Sequence, residues 1–205
     1  MGRPNRPKLD RELIARAAVD LVDEHGMGAL TMRALATRLN VRGPSLYNHV
    51  SSKEELLDAI TVVITREIDR APLDDPDWRV GITAFARGYR AAFLRHPDAL
   101  PVIARRPVST EEALSAYDAV VRTLIRIGLP PAEAAEFSAA LDYLVVGSVI
   151  ETYEEGFARS AEEYRADYPS LARALTAGDR DTLNARGFER GLRLLLDGLA
   201  SRLKP

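Results

Sequence analysis

Cysteine is absent from all 205 residues, which excludes disulfides and thiolate metal centres and makes a cytoplasmic home the expectation. No apolar run approaches the length needed to cross a bilayer, so a soluble protein without a membrane partner is expected. The basic start is not followed by the apolar stretch of a secretory leader. There is no internal repeat and no long low-complexity tract. The three histidines, His25, His49 and His96, are too scattered for the helical two-histidine metal pattern and read as capping or phosphate-facing groups. Nucleophile elbow, phosphate loop and metal motif are all missing, and His96-Pro97-Asp98 beside a helix break makes no triad. No catalytic residue, cofactor or metal is therefore expected, and the chain is not read as an enzyme.

What is present is 46% hydrophobic residues, ample for a core, and a formal charge of −2. That balance taken alone argues against a nucleic-acid partner. Its distribution argues the other way. Residues 1–53 hold nine Lys or Arg against five acids, a local charge of +4, leaving −6 for the remainder. A small basic head gains counterion-release affinity from phosphates while the acidic remainder stays off the DNA. The first eight residues, Met-Gly-Arg-Pro-Asn-Arg-Pro-Lys, are too polar and proline-rich to fold alone and read as a basic arm for a minor groove or backbone. The charge split favours two domains, a DNA-binding head over residues 1–53 and a larger body over 54–205.

Helical periodicity recurs almost throughout and predicts an all-α fold. Asp10 caps a helix with the stripe Leu13, Ile14, Ala17, Ala18, Leu21 and Val22, stopping at Gly26. Thr31 caps a second, with Leu35, Ala36 and Leu39 on one face, ended by Asn40. Gly43 and Pro44 open a third, proline standing at the first position where no amide bond is lost. Its apolar residues are Leu46 and Val50. Ser45, Tyr47, Asn48 and His49 are left facing away from the packing side, with Arg42 just ahead. Two short helices joined by a tight turn, the second presenting hydrogen-bonding side chains, make a helix-turn-helix able to enter a major groove.

Ser52 with Glu55 forms a capping box that starts a linking helix over residues 52–70, with Leu56, Leu57, Ile60, Ile64 and Ile68 on one side. Residues 71–77 are an acidic turn with two prolines. The body continues with a helix over about residues 78–96 carrying Ile82, Phe85, Ala86, Tyr89 and Phe93, then a short helix near 99–105. A second capping box, Ser109 with Glu112, opens a helix with Leu114, Tyr117, Val120, Val121, Leu124 and Ile125. A helix over about 132–156 is apolar on every side at residues 144–150, and a two-fold partner is the simplest cover for it, so a homodimer is expected. Residues 157–187, broken by Pro169 and Gly178, read as short helix and loop. The last helix offers Phe188, Leu192, Leu195, Leu196, Leu199 and Leu203 to complete a four-helix seam.

Through Leu30, Thr31, Arg33, Ala34, Leu35, Ala36, Leu39, Val41, Pro44, Leu46, Tyr47, His49, Val50, Lys53, Leu56 and Leu57, the head resembles the DNA-binding domain of the TetR family of transcriptional regulators. Trp78, Arg106-Pro107, Gly147 to Glu151 and the leucine-rich ending resemble its tetracycline-repressor branch. The resemblance implies an all-helical homodimer that occupies an operator in double-stranded DNA until a small-molecule effector enters the body. It implies DNA contacts by Thr31 and Arg33, by Arg42, Gly43, Pro44, Ser45, Tyr47 and His49, and by Lys53 on a phosphate. Side-chain chemistry suits Arg33 and Arg42 to guanine and Asn48 to adenine, while Tyr47, His49, Thr31 and Lys53 suit backbone oxygens. Gly43 stands where the tetracycline repressor has a base-reading glutamine, so the operator sequence does not carry over.

Nor does the effector. Val102 replaces the branch's magnesium-binding histidine, Phe85 its drug-gripping asparagine and Asp118 a glutamine, although Glu151 is retained. The resemblance instead implies a largely apolar, aromatic-lined cavity of Phe85, Tyr89, Val102, Ile103, Tyr117, Val121, Leu141 and Val145, with Asp118 and Asp142 nearby. By spacing alone the stripe Phe85, Tyr89, Phe93 fits plain core as well as a pocket wall. Asp142 is either a solvent-facing charge or a buried carboxylate awaiting a cation. The function expected is an effector-released repressor; a ligand-independent architectural DNA-binding protein, or an activator of the same fold, is the alternative.

Overall fold

The computed structural model describes residues 9–150, 159–177 and 180–203, and among them it is helical and free of strands. The helices are α1 (Arg11–His25), α2 (Met32–Leu39), α3 (Gly43–Tyr47), α4 (Lys53–Arg66), α5 (Trp78–Arg95), α6 (Leu100–Ile103), α7 (Glu111–Arg126), α8 (Pro131–Ile150), α9 (Pro169–Ala177) and α10 (Arg180–Arg202), with 3-10 turns at Met27–Ala29 and Ala71–Asp74. The expected basic arm over residues 1–8, Glu151, and the end of the expected 132–156 helix lie outside the described residues. No helix among the described residues is long and apolar enough to cross a membrane. The chain forms two compact units, residues 1–69 with 91–118 (unit 1) and residues 70–90 with 119–205 (unit 2).

Unit 1 is built around α1, against which α2 and α4 pack. The Asp10 carboxylate accepts from the Leu13 amide at 2.8 Å, and Gly26, at φ 76°, ends the helix in a conformation glycine adopts without strain. Ile14, Ala18, Val22, Leu35, Leu46, Val50, Leu56, Ile60 and Ile64 are each 2% exposed or less. Each of the larger side chains contributes roughly 1.5–3 kcal/mol on burial. Thr31 caps α2 through the Ala34 amide at 3.1 Å, and Asn40, left-handed at φ 53°, turns the chain toward α3. α3 begins one residue earlier than expected, at Gly43, and Pro44 stands second, still within the first turn where its missing amide is harmless. It is only five residues long, and Val50 is buried from the turn after it.

Two capping expectations are corrected. Ser52 does cap α4, accepting from the Glu55 amide at 3.0 Å, but the Glu55 carboxylate reaches past it to the amide and hydroxyl of Ser51, at 2.8 and 2.6 Å. Ser51 meets that carboxylate with both its amide and its hydroxyl. Ahead of α7 the cap is Thr110, which accepts from the Ala113 amide at 3.4 Å, rather than Ser109. Glu112 is drawn instead to Arg66, at 2.7 Å, because a charged partner outcompetes a backbone amide. α4 also stops at Arg66, short of residue 70, although Ile68 beyond it is buried.

In unit 2, α8 and α10 pack along each other, closely enough that a Cβ at Gly191 would lie 2.7 Å from Leu144 Cδ1. Ile82, Phe85, Leu124, Leu141, Val145, Phe188, Leu192, Leu196 and Leu199 form the core. α7 turns a different side inward than its apolar spacing suggests. Ala119, Val120, Thr123 and Leu124 are buried, while Leu114, Tyr117 and Ile125 are exposed. The Leu73 carbonyl explains the difference in unit 2: it accepts from the Thr123 hydroxyl at 3.2 Å and from Arg126 at 2.8 Å, fixing Thr123 inward. Pro169 opens α9 rather than breaking a helix. Within one chain α8 keeps an uncovered apolar side, Tyr143 being 74% and Ile150 50% exposed, and α10 likewise leaves Leu194 65% exposed.

Candidate nucleic-acid interface and effector site

Leu46, fully buried, anchors α3 and leaves its polar side outward. Arg42, Pro44, Tyr47 and Asn48 are exposed, Gly43, Ser45 and His49 half-buried. Thr31, Arg33 and Lys53 are exposed on the flanking segments. Thr31 and Arg33 also line an open groove of about 480 Å³ with Leu21, His25 and Arg38.

Within residues 9–53 the cations sort into two groups. Arg16 bonds Glu12 at 2.8 Å, Arg38 grips Glu24 in two bonds of 2.7 and 2.6 Å, and Arg11 pairs with Glu55 at 3.0 Å. The Arg38 hydrogen bond holds the Glu24 carboxyl below its ordinary value against the opposing pull of burial. Residues 25–53, by contrast, contain no acid. Among the described residues the side chains of Arg33, Arg42 and Lys53 have no hydrogen bond or ion pair. These three cations, all at the helix-turn-helix, are thus available to phosphate or base edges. The acid-free stretch was visible in the sequence and sharpens the charge argument.

In unit 2 the structure brings together Phe85, Tyr89 and Asp142. The two rings lie 6.0 Å apart at 46°, and the half-buried Tyr89 donates its hydroxyl to Asp142 Oδ1 at 2.6 Å. Asp142 is half-buried on α8, one turn from the buried Val145 and beside the buried Leu141, and Val121 is half-buried on α7. In unit 1, Val102 and Ile103 are half-buried on α6, while Tyr117 and Asp118 are exposed on α7.

Sequence reasoning missed two polar side chains. His96 neither caps a helix nor faces solvent: it is 8% exposed, with Nδ1 2.8 Å from Asp23 and Nε2 3.2 Å from Glu67. Burial pulls the Glu67 carboxyl up, but hydrogen bonds from Arg95 and His96 outweigh it and hold the group below its ordinary value. Arg90, on α5, donates to Ser148 and Asn184 and lies over the Phe188 ring. Its signal was a cation four residues after Ala86 and three before Phe93, on an otherwise buried stripe.

Comparison with known proteins identifies this architecture. The profile of bacterial regulatory proteins of the tetR family matches residues 14–60, and that of tetracyclin repressor-like C-terminal domains matches residues 71–203. An HTH-type transcriptional regulator of Saccharopolyspora erythraea is 35% identical, over 96% of this chain and 86% of its own. The tetracycline repressor protein class A from transposon 1721 of Escherichia coli is 34% identical, over 95% and 92%. Among solved structures, the Streptomyces coelicolor TetR family protein ActR in complex with actinorhodin superposes with a TM-score of 0.81 at 26% identity, covering 97% of this chain and 100% of that one. BioQ with its double-stranded DNA operator gives 0.67 at 27%, covering 95% and 99%. The chain belongs to the TetR family of bacterial regulatory proteins: it is a helix-turn-helix transcriptional regulator and not an enzyme.

Proposed function

We propose that the chain is a cytoplasmic homodimeric repressor that leaves a near-palindromic operator when a small, largely apolar aromatic molecule binds its body. The observation that carries the DNA-binding half is the set of exposed cations around α3, Arg33, Arg42 and Lys53, which are unpaired among the described residues. In this reading Arg33 and Arg42 read guanine and Asn48 reads adenine. Thr31, Tyr47, His49 and Lys53 hold the backbone, and Gly43, Pro44 and Ser45 let α3 approach the groove closely. Residues 1–53 form the DNA-binding head and 54–205 the effector and dimerisation body. Two copies meet through the uncovered sides of α8 and α10, where Tyr143, Ile150 and Leu194 are exposed. Their reading helices would then stand roughly 34–36 Å apart, one turn of duplex.

For the effector, support comes from the Phe85–Tyr89 pair and its Asp142 contact in unit 2, and from ActR, solved with actinorhodin. A magnesium-tetracycline complex is a poor fit, because Val102 offers no metal ligand where the branch has histidine. Effector and operator need a coupling of about 1–3 kcal/mol for release. The test is a fluorescence anisotropy titration of operator fragments selected with the purified protein. Tyr47→Ala is expected to abolish binding with the dimer intact by sedimentation; unchanged affinity contradicts the assignment.

A further inference from the structure

Of the three histidines, His96 alone is buried, at 8% exposed. Both of its ring nitrogens face carboxylate oxygens, Nδ1 at 2.8 Å from Asp23 Oδ2 and Nε2 at 3.2 Å from Glu67 Oε1. An ionised carboxylate accepts hydrogen bonds and cannot donate one, so the two contacts exist together only when each ring nitrogen carries a proton. A neutral ring keeps one contact and turns a bare lone pair toward the other carboxylate. Glu67 is poorly placed to supply the missing proton. Burial pulls its carboxyl up, but bonds from Arg95 and His96 outweigh that and hold it below its ordinary value. The other charged groups around the ring are Arg95 on α5, Arg16 on α1, which feels the Glu67 charge, and Asp98, whose carboxylate stands 3.8 Å from where a Cβ at Gly26 would lie. Arg95 is bound to Glu67 and Arg16 to Glu12, so neither replaces the ring proton.

These groups sit on segments whose relative setting decides where α3 points, and all lie in unit 1. Asp23 belongs to the end of α1, the helix on which α2 packs, and Glu67 is the C-cap of α4. His96 follows α5, and its backbone is pinned in the turn toward α6. Its amide donates to the Phe93 carbonyl at 3.0 Å, and its carbonyl accepts from the Ala99 amide at 3.2 Å. Phe93, Ala99 and Leu100 around it are buried, so the ring cannot follow a moving α1. Protonated on both nitrogens, it ties α1 to the end of α4 and to the turn between α5 and α6. Neutral, it lets one of them go. Imidazole is the side chain suited to such a change within the physiological range.

We propose that His96 is a proton-operated positioning residue for operator binding: doubly protonated, it holds α1 and the helix-turn-helix in the setting that fits the operator, and loss of one ring proton releases that setting. This rests on the reading of residues 1–53 as the DNA-binding head. The probe is a duplex selected from genomic fragments with the purified full-length protein, titrated by anisotropy at fixed salt from about pH 5 to 8. Over that range wild-type affinity is expected to fall about tenfold more than that of Asp23→Asn, the scale of an ordinary coupling between sites. The amide introduced by Asp23→Asn both accepts and donates, so a neutral ring keeps both contacts and affinity should hold. A merely structural bond would give the reverse, an equal loss at every pH. His25 and His49 titrate in both proteins and cancel from the comparison. By reciprocity, bound operator must hold the His96 proton more tightly by the same factor. The ring nitrogen NMR signals of histidine-labelled protein read this, three histidines being few enough to assign by single substitution. Parallel pH profiles for wild type and Asp23→Asn, or His96 signals unmoved by operator, overturn the role of His96 and leave the DNA-binding head standing. Failure of every genomic duplex to bind at low salt overturns the head and the proposal together. Should Asp23→Asn not fold, the ring signals of the wild type decide.

Discussion

On the helix-turn-helix, Arg33 and Arg42 stand exposed in a stretch without acids, whereas in unit 2 Arg79, Arg87 and Arg202 each sit on a carboxylate and Arg90 on a phenyl ring. The same residue type is left available at the first two positions and held by a partner at the others. What separates them is where the acids fall: those of the head cluster on α1 and neutralise Arg16 and Arg38 before DNA arrives. A net charge of −2 conceals this, because nucleic acid responds to the local field of unpaired cations and not to the sum.

The largest effect should come from removing the unpaired pair. Arg33→Ala with Arg42→Ala is expected to cost about 1–3 kcal/mol per bidentate contact, roughly 30-fold to 10⁴-fold in operator affinity, and to flatten the salt dependence. Arg38→Ala, whose charge is already satisfied by Glu24, should cost about tenfold at most. Comparable losses from the two would break the distinction.

Next in size is the anchor beneath α3. Leu46→Ala is expected to destabilise by about 2–5 kcal/mol in urea titrations, as for other fully buried leucines. Operator affinity should fall with stability, unlike Tyr47→Ala, whose thermal midpoint should not move.

Tyr89→Phe removes the hydroxyl that Asp142 accepts, at a cost of about 0.5–1.5 kcal/mol. The effector dose response should shift while operator affinity without effector holds; an unaltered dose response counts against the site.

The smallest effect is a pH dependence in unit 1. Glu67 is held below its ordinary carboxyl value of 4.5, so it binds protons less readily folded than unfolded. Its contribution is thus present above that value and lost as pH falls below it. Glu67→Gln should lower stability near neutral pH and make the acid limb less steep; an unchanged limb would show that the Arg95 and His96 contacts contribute nothing.

What was legible in the sequence was local. The α1 stripe, the Asp10, Thr31 and Ser52 caps and the left-handed Asn40 all follow from residues within one or two turns of one another. The polar side of α3 follows from the helical period in the same way. Illegible features depend on partners far along the chain. Glu112 leaves its expected cap for Arg66, 46 positions away, and His96 meets Asp23 across 73. Thr123 is drawn inward by a carbonyl 50 residues upstream, which moves the buried side of α7. In the candidate sites the residue types could be chosen from pattern, but which arginine is neutralised and which is open is set by such distant contacts.

The central claim, that two copies of α3 read one operator in register, is tested most directly by sequencing genomic fragments retained by the purified full-length protein. The account predicts enrichment of an inverted repeat whose half-site centres lie about one duplex turn apart, roughly 10–10.5 base pairs or a small multiple of it. Retention without sequence preference, or a single unrepeated half-site bound by a monomer, would contradict it.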